Sequence, residues 1–136
     1  MRGFDLEALR RIAQEEFADI VVESRINALN ELRMILIDGS FIDVWFSLKL
    51  RKRYSYHWER RAIDGTIYRH DNAPHRRWES VNTFPKHFHA GAEMLVTESA
   101  LSEVPADALR EFLTFARERL SRGPRVSEVD VPQAGS

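Results

Sequence analysis

Hydrophobic positions recur at helical spacing between Asp5 and Phe17. Leu6, Leu9, Ala13 and Phe17 share one stripe, which predicts an amphipathic helix with Asp5 as its N-cap. From Ile20 the period shortens to two. Ile20, Val22, Ser24 and Ile26 alternate with Glu23, Arg25 and Asn27, as a strand with one buried face requires. A turn at Leu29–Asn30 leads to a second strand, Glu31 to Ile37, and Asp38-Gly39 is a hairpin signal because glycine tolerates the positive φ of such turns. A third strand, Phe41 to Leu48, places Ile42, Val44, Phe46 and Leu48 on one face. After the basic turn Lys49–Lys52, a fourth strand lines up Tyr54, Tyr56 and Trp58; a second hairpin signal, Asp64-Gly65, precedes a fifth strand, Thr66 to Asp71.

Consecutive strands joined by short turns predict an antiparallel meander, since parallel pairing needs long crossovers. Residues 72–91, with Pro74, Pro85 and Gly91, interrupt the rhythm and read as a long loop, a feature more often functional than not. Met94 to Thr97 is expected to add a short sixth strand. A last helix starts near Pro105, carries Leu109, Phe112, Leu113, Ala116 and Leu120 as its apolar stripe, and stops at Gly123-Pro124. The expected fold is α+β: a five- to six-stranded antiparallel meander sheet with an N-terminal and a C-terminal helix packed on one face. Residues 1–123 are expected to form a single domain and 124–136 a flexible tail.

The chain has 136 residues, 43% hydrophobic and 30% charged, which suits one soluble globular domain. Without cysteine it has no disulfide, thiolate nucleophile or cysteine-ligated zinc. No apolar run reaches the ~18 residues of a membrane span, and the N-terminal residues lack the apolar stretch of a secretory signal. The net charge of −1 conceals an asymmetry. Residues 49–89 hold ten Lys/Arg against four Asp/Glu, a balance of +6, and all five histidines; the rest of the chain holds ten against seventeen, a balance of −7. A basic, aromatic, histidine-rich segment in an otherwise acidic chain suggests an anionic ligand, with nucleic acid the leading candidate. The same arginines and lysines also fit a solvated strand face.

Within that segment, alternation sends Arg69 and Asp71 to one face of the fifth strand and His70 to the other. The turn Asp71-Asn72-Ala73-Pro74 would hold His75 just beyond the strand, and His87-x-His89 in extended backbone sets both imidazoles on one side. Two chemistries use such a set. In the first, histidines among His75, His87 and His89 cleave a phosphodiester by acid–base catalysis without a metal; Arg69 stabilises charge on phosphorus and Asp71 orients a histidine. Asn72, Arg76, Arg77, Lys86 and Tyr56 are candidate substrate contacts, although the row Tyr54, Tyr56 and Trp58 fits sheet packing better than base stacking. In the second, His87 and His89, with His75 or Asp71, bind a divalent transition metal. His57 and His70, lone imidazoles on strands, read as structural.

The run from Arg69 through Asp71, Asn72 and Pro74 to His75, followed by Phe84, Pro85, His87 and His89 and then by Ser99 before the last helix, resembles the signature of the TumE family, small toxin components of toxin–antitoxin pairs. The likeness spans about residues 17–120, and the connection Arg76-Arg77-Trp78-Glu79 is bulkier and more basic than the family's usual one. The resemblance implies a cytoplasmic prokaryotic protein whose partner is an antitoxin carrying a helix-turn-helix domain. A reaction does not follow from it.

The leading reading is therefore a toxin-type endoribonuclease with a His/Arg site, acting on RNA without a cofactor or membrane, and compatible with a homodimer. Its rivals are a metal-dependent enzyme or metal-binding protein built on His75, His87 and His89, and a non-catalytic module that binds nucleic acid or protein.

Overall fold

Asp5 starts the first helix because its carboxylate accepts the orphan backbone N–H groups of Glu7 and Ala8 at 3.1 and 3.2 Å. In a computed structural model that describes residues 5–122, this helix, α1, covers Leu6–Glu16. Four strands follow, β1 (Val21–Asn27), β2 (Glu31–Leu36), β3 (Phe41–Phe46) and β4 (Tyr54–Arg60), then a helical turn α2 (Arg61–Asp64) and β5 (Thr66–Asp71). A 3-10 turn at Arg76–Trp78 leads to β6 (His87–Gly91), β7 (Val96–Glu98) and the helix α3 (Pro105–Arg122). The stop at Gly123-Pro124 and the tail 124–136 lie outside the described residues.

The fold is α+β, and its one sheet is a meander in the order β1-β2-β3-β4-β5-β6-β7, every pair antiparallel. Among the described residues it has seven strands, not five to six. The addition comes from residues 72–91, expected as irregular throughout. Their last five residues form β6, which pairs with β5, and β7 replaces the expected strand at Met94–Thr97. Polar histidines occupy the most buried positions of β6, on the face away from the helices, so its period-2 pattern does not register as apolar alternation.

Three further expectations shift for local reasons. A β-bulge in β1 pairs Val21 with Leu36 and Glu23 with Ile35, leaving Val22 as an extra residue. The alternation changes face there: Val21 and Ser24 are buried, whereas Val22 and Ile26 are exposed. Leu48 lies past the end of β3 and is also exposed. Asp64-Gly65 closes α2 rather than a two-residue hairpin; Gly65 adopts φ +81°, and the Asp64 carboxylate accepts from the Thr66 N–H and hydroxyl at 3.1 and 2.6 Å.

Both long helices cover the same face of the sheet. Leu6, Leu9, Ala13 and Phe17 from the N-terminal end and Leu109, Phe112, Leu113 and Ala116 from α3 join Leu32, Met34, Ile42, Val44, Tyr56 and Trp58 in one buried cluster. Phe112 meets Tyr56 edge-on at 6.3 Å, and Phe115 meets Trp58 edge-on at 6.1 Å. Alternation sends the residues between these to the opposite face, which no long helix among the described residues covers.

Candidate functional site

The helix-free face of β5 and β6 carries Arg69, Asp71, His87 and His89. Antiparallel register pairs Arg69 with His89 and Asp71 with His87, so four residues separated by up to twenty positions become two adjacent cross-strand pairs. The neighbouring strand adds His57, which pairs with Arg69 on its other side. Asp71, His87 and His89 are all buried. Trp78, from the 3-10 turn, lies against both imidazoles, with ring centroids 6.1 Å from His87 and 5.9 Å from His89.

Backbone carbonyls fix the tautomers of both imidazoles. Nδ1 of His87 lies 2.8 Å from the Pro85 oxygen, and Nδ1 of His89 lies 2.8 Å from the Glu93 oxygen. A carbonyl can only accept, so each Nδ1 carries hydrogen and donates it. In the neutral rings both Nε2 atoms therefore present lone pairs, and both face Asp71: Nε2 of His87 is 3.2 Å from Oδ1, and Nε2 of His89 is 3.7 Å from Oδ2. The contact at His87 lacks hydrogen-bond alignment, and its buried Nε2 has no hydrogen-bond partner. The loop that supplies the Glu93 carbonyl leaves β6 at Gly91, whose φ of +106° favours glycine.

Asp71 is held as an anion. Burial pushes its carboxyl up, but the neighbouring imidazoles of His89 and His87, the Ala73 N–H and the Arg69 guanidinium outweigh burial and bring it down to about 2. Arg69 donates through Nε to Asp71 Oδ2 at 3.0 Å and through Nη2 to Glu93 Oε1 at 2.5 Å and His89 Nε2 at 3.3 Å. Its Nη1 donates to His57 Nδ1 at 3.2 Å, which leaves the His57 Nε2–H to donate to Glu59 at 3.0 Å. Burial disfavours the Arg69 charge, yet Glu93 and Asp71 more than offset it and the group's pKa is raised. This guanidinium organises the floor of the site and is already paired with two carboxylates.

Above that floor is a cavity of about 550 Å³ bounded by Trp45, Arg53, His75, Arg77, Trp78 and Met94, with Arg69, Asp71 and His89 also reaching it. Arg53 and Arg77 form no ion pair among the described residues. Arg77 instead donates to Met94 Sδ at 3.6 Å and lies 5.4 Å from the Trp78 ring centroid. His75 is exposed at the rim.

Of the residues singled out in the sequence, Arg69, Asp71, His87 and His89 converge, and His75 and Arg77 join them at the cavity. The others do not. Tyr56 is on the helix-covered face, packed against Phe46, Tyr54 and Phe112. The Asn72 amide bridges two backbones, accepting from the Tyr54 N–H at 3.0 Å and donating to the Lys52 carbonyl at 2.7 Å. Lys86 turns away to the Leu101 carbonyl at 2.8 Å and Glu103 at 2.9 Å, and Arg76 is exposed outside the cavity lining. Sequence reasoning missed Trp78, Glu93 and the part played by His57, and it read Arg53 with Lys49, Arg51 and Lys52 as a solvated basic turn or a track for a phosphate backbone. Alternation on β4 does send His57 to the face opposite Tyr56 and Trp58, which is the signal that finds it; Glu93 sits in a turn with no such signal.

A family model described as Toxin TumE matches residues 6–120. No curated protein and no solved structure matches the chain.

Proposed function

This chain belongs to the TumE family of toxins, and we propose that it acts by cutting RNA in the cavity over β4, β5 and β6. The observation that carries this reading is the pairing of an electron-rich floor with a cationic rim. Lone pairs of two tautomer-fixed imidazoles and an ionised carboxylate gather below, while Arg53 and Arg77 stand above without carboxylate partners among the described residues. A phosphate held by that rim would sit over the floor, with Trp45 and Trp78 beside it as faces for stacking bases.

The chemistry divides between the two layers. Because Nδ1–H of both buried histidines is committed to a carbonyl, the floor takes protons rather than gives them. It accepts the proton of a ribose 2′-hydroxyl; the 2′-oxygen then attacks phosphorus and the bond from phosphorus to the 5′-oxygen breaks. The leaving oxygen takes a proton from the His75 imidazolium at the rim. The products are a 2′,3′-cyclic phosphate and a 5′-hydroxyl. Arg69 acts by positioning Asp71 and His89, and the phosphate contact passes to Arg53 and Arg77. A toxin's partner is an antitoxin, and we assign it the helix-turn-helix type that the resemblance implies.

Incubation of the purified protein with end-labelled RNA tests this. Wild type should yield cyclic-phosphate ends, and His89→Ala and His75→Ala should each lower the rate by roughly 10²–10⁴. Growth arrest by a protein that leaves RNA intact would overturn it.

A further inference from the structure

We propose that Asp71, His87 and His89 hold one divalent transition-metal ion between β5 and β6. The proposal rests on the reading of this pocket as the reaction centre and names what fills its floor.

One ligand atom from each of the three residues can be chosen so that all lie within 4.8 Å of one another. The spacings of 3.2 Å from His87 Nε2 to Asp71 Oδ1 and 3.7 Å from His89 Nε2 to Oδ2 are close to the ligand–ligand edge of about 3.0–3.5 Å that metal bonds of about 2.0–2.2 Å create. Each imidazole gives its Nδ1–H to a backbone carbonyl, the outer contact that metal-binding histidines use to aim the other nitrogen. Asp71 is aimed likewise, by the Ala73 N–H at 3.0 Å to Oδ1. An independent observation points to an occupant: His87 Nε2 is completely buried, directed into the cluster, and lacks a hydrogen-bond partner among the described residues. Buried polar atoms are rarely left so.

Two imidazoles and one carboxylate leave coordination positions open, and two of the three ligands, Asp71 and His89, line the cavity. An ion there would polarise a phosphate oxygen and lower the pKa of its bound water. A hydroxide bound to it would take the 2′-hydroxyl proton and become water, while the lone pairs of His87, His89 and Asp71 would hold the ion instead of taking that proton. His75 is not one of the three; it lies at the rim.

Arg69 competes for this place. Its Nη2 caps His89 Nε2 at 3.3 Å and its Nε holds Asp71 Oδ2. Ion entry requires the guanidinium to release both, and Glu93, bonded at 2.5 Å on the far side, gives it somewhere to stay. Removing Arg69 should therefore strengthen metal binding, the opposite of what loss of a ligand does.

The test uses untagged full-length protein, stripped with a chelator and titrated with Zn²⁺ by calorimetry and with Co²⁺ by visible absorption. Wild type should take up one equivalent with the spectrum of nitrogen and oxygen ligation. His87→Ala, His89→Ala and Asp71→Asn should each weaken binding at least ~10-fold, His75→Ala should not, and Arg69→Met should tighten it. Should a ligand variant fail to fold, histidine nitrogen shifts of the wild type on adding Zn²⁺ decide: movement at Nε2 of His87 and His89 supports the site. Uptake of no metal, or binding that ignores all three ligand substitutions, overturns it. Undiminished RNA cleavage by stripped protein removes the metal and leaves RNA cutting standing; one equivalent of metal with RNA intact does the reverse.

Discussion

His87 stands directly opposite Asp71 in the β5–β6 ladder, and its bare Nε2 lies 3.2 Å from the carboxylate Oδ1. Two electron-rich atoms face each other, and the one on His87 is closed to water, as His87 has no exposed surface. Such an arrangement is stable only with a positive charge nearby. Arg69 supplies one through Oδ2 of the same carboxylate, and a proton or a metal ion at Nε2 would supply another.

Acid should therefore attack the fold through Asp71. Burial raises its pKa, yet the neighbouring His89 ring, the Ala73 N–H and the Arg69 guanidinium bring it from 3.8 to about 2. A carboxyl depressed in the folded state stabilises above its unfolded pKa, and that contribution fades as pH falls through the folded value. Wild type should lose on the order of 2 kcal/mol between pH 4 and pH 2 from this group. Denaturant melts of Asp71→Asn over the same range should show a flatter slope; an equal slope would mean that Asp71 is not the group responsible.

His70 should govern the window above that one. It lies on the helix side of β5, stacked on Phe88 at 4.2 Å and edge-on to Phe112 at 5.6 Å, with Nδ1 2.8 Å from the Ser99 hydroxyl. Burial, helped by the Lys86 charge, lowers its pKa from 6.5 to about 4. The unfolded chain then binds more protons than the folded one between these values, so stability falls as pH drops from about 6.5 toward 4. The loss is at most about 3 kcal/mol. Melts of His70→Gln should lack most of that slope while wild type retains it, whatever the variant's stability at pH 7.

The sheet was legible in the sequence wherever apolar and polar residues alternate cleanly. Met34, Ile42, Val44, Tyr56 and Trp58 all point where period two sends them, and Asp5, Leu9 and Phe112 do the same for the helices. Legibility failed where one residue changed the count, as at Val22, or where a strand buries polar groups, as at His87 and His89. The convergence of Arg69, Asp71, His87 and His89 was readable from chemistry and loop closure. Which arginines stay unpaired was not, because that depends on Glu93, whose turn position is set by Gly91 and by its carbonyl's bond to His89. Asn72 and Lys86 are polar residues whose partners are distant backbone carbonyls, a use that no local pattern reveals.

Neighbouring phenylalanines of α3 should differ in cost. Phe112 is 1% exposed and sits between Tyr56 and His70, whereas Phe115, half-buried, meets Trp58, Tyr68 and Phe88 at the margin of the core. Phe112→Ala should cost about 3–5 kcal/mol, as truncating a buried aromatic does, and Phe115→Ala clearly less. Urea midpoints at constant m-value report the two costs. Equal losses would show that α3 is buried over a wider arc than its stripe.

Arg53 and Arg77 should set RNA affinity without setting the rate of chemistry. Both line the cavity, neither has a carboxylate partner among the described residues, and each is at least partly exposed. Arg69, by contrast, is already paired with Asp71 and Glu93 and has no charge to offer a phosphate without breaking those bonds. A side chain that neutralises one phosphate releases about 0.7 counterion on single-stranded nucleic acid, which appears as slope in a plot of log affinity against log salt. Arg53→Ala and Arg77→Ala should each weaken RNA binding at low salt and flatten that slope by roughly 0.7, with the double variant flatter by about twice as much. The turnover rate at saturating RNA should change little for either. Arg76→Ala, outside the cavity lining, is the control and should leave the slope where it is. If instead Arg69→Met alone reduces the slope while the Arg53 and Arg77 variants do not, the floor of the site, not its rim, holds the phosphate.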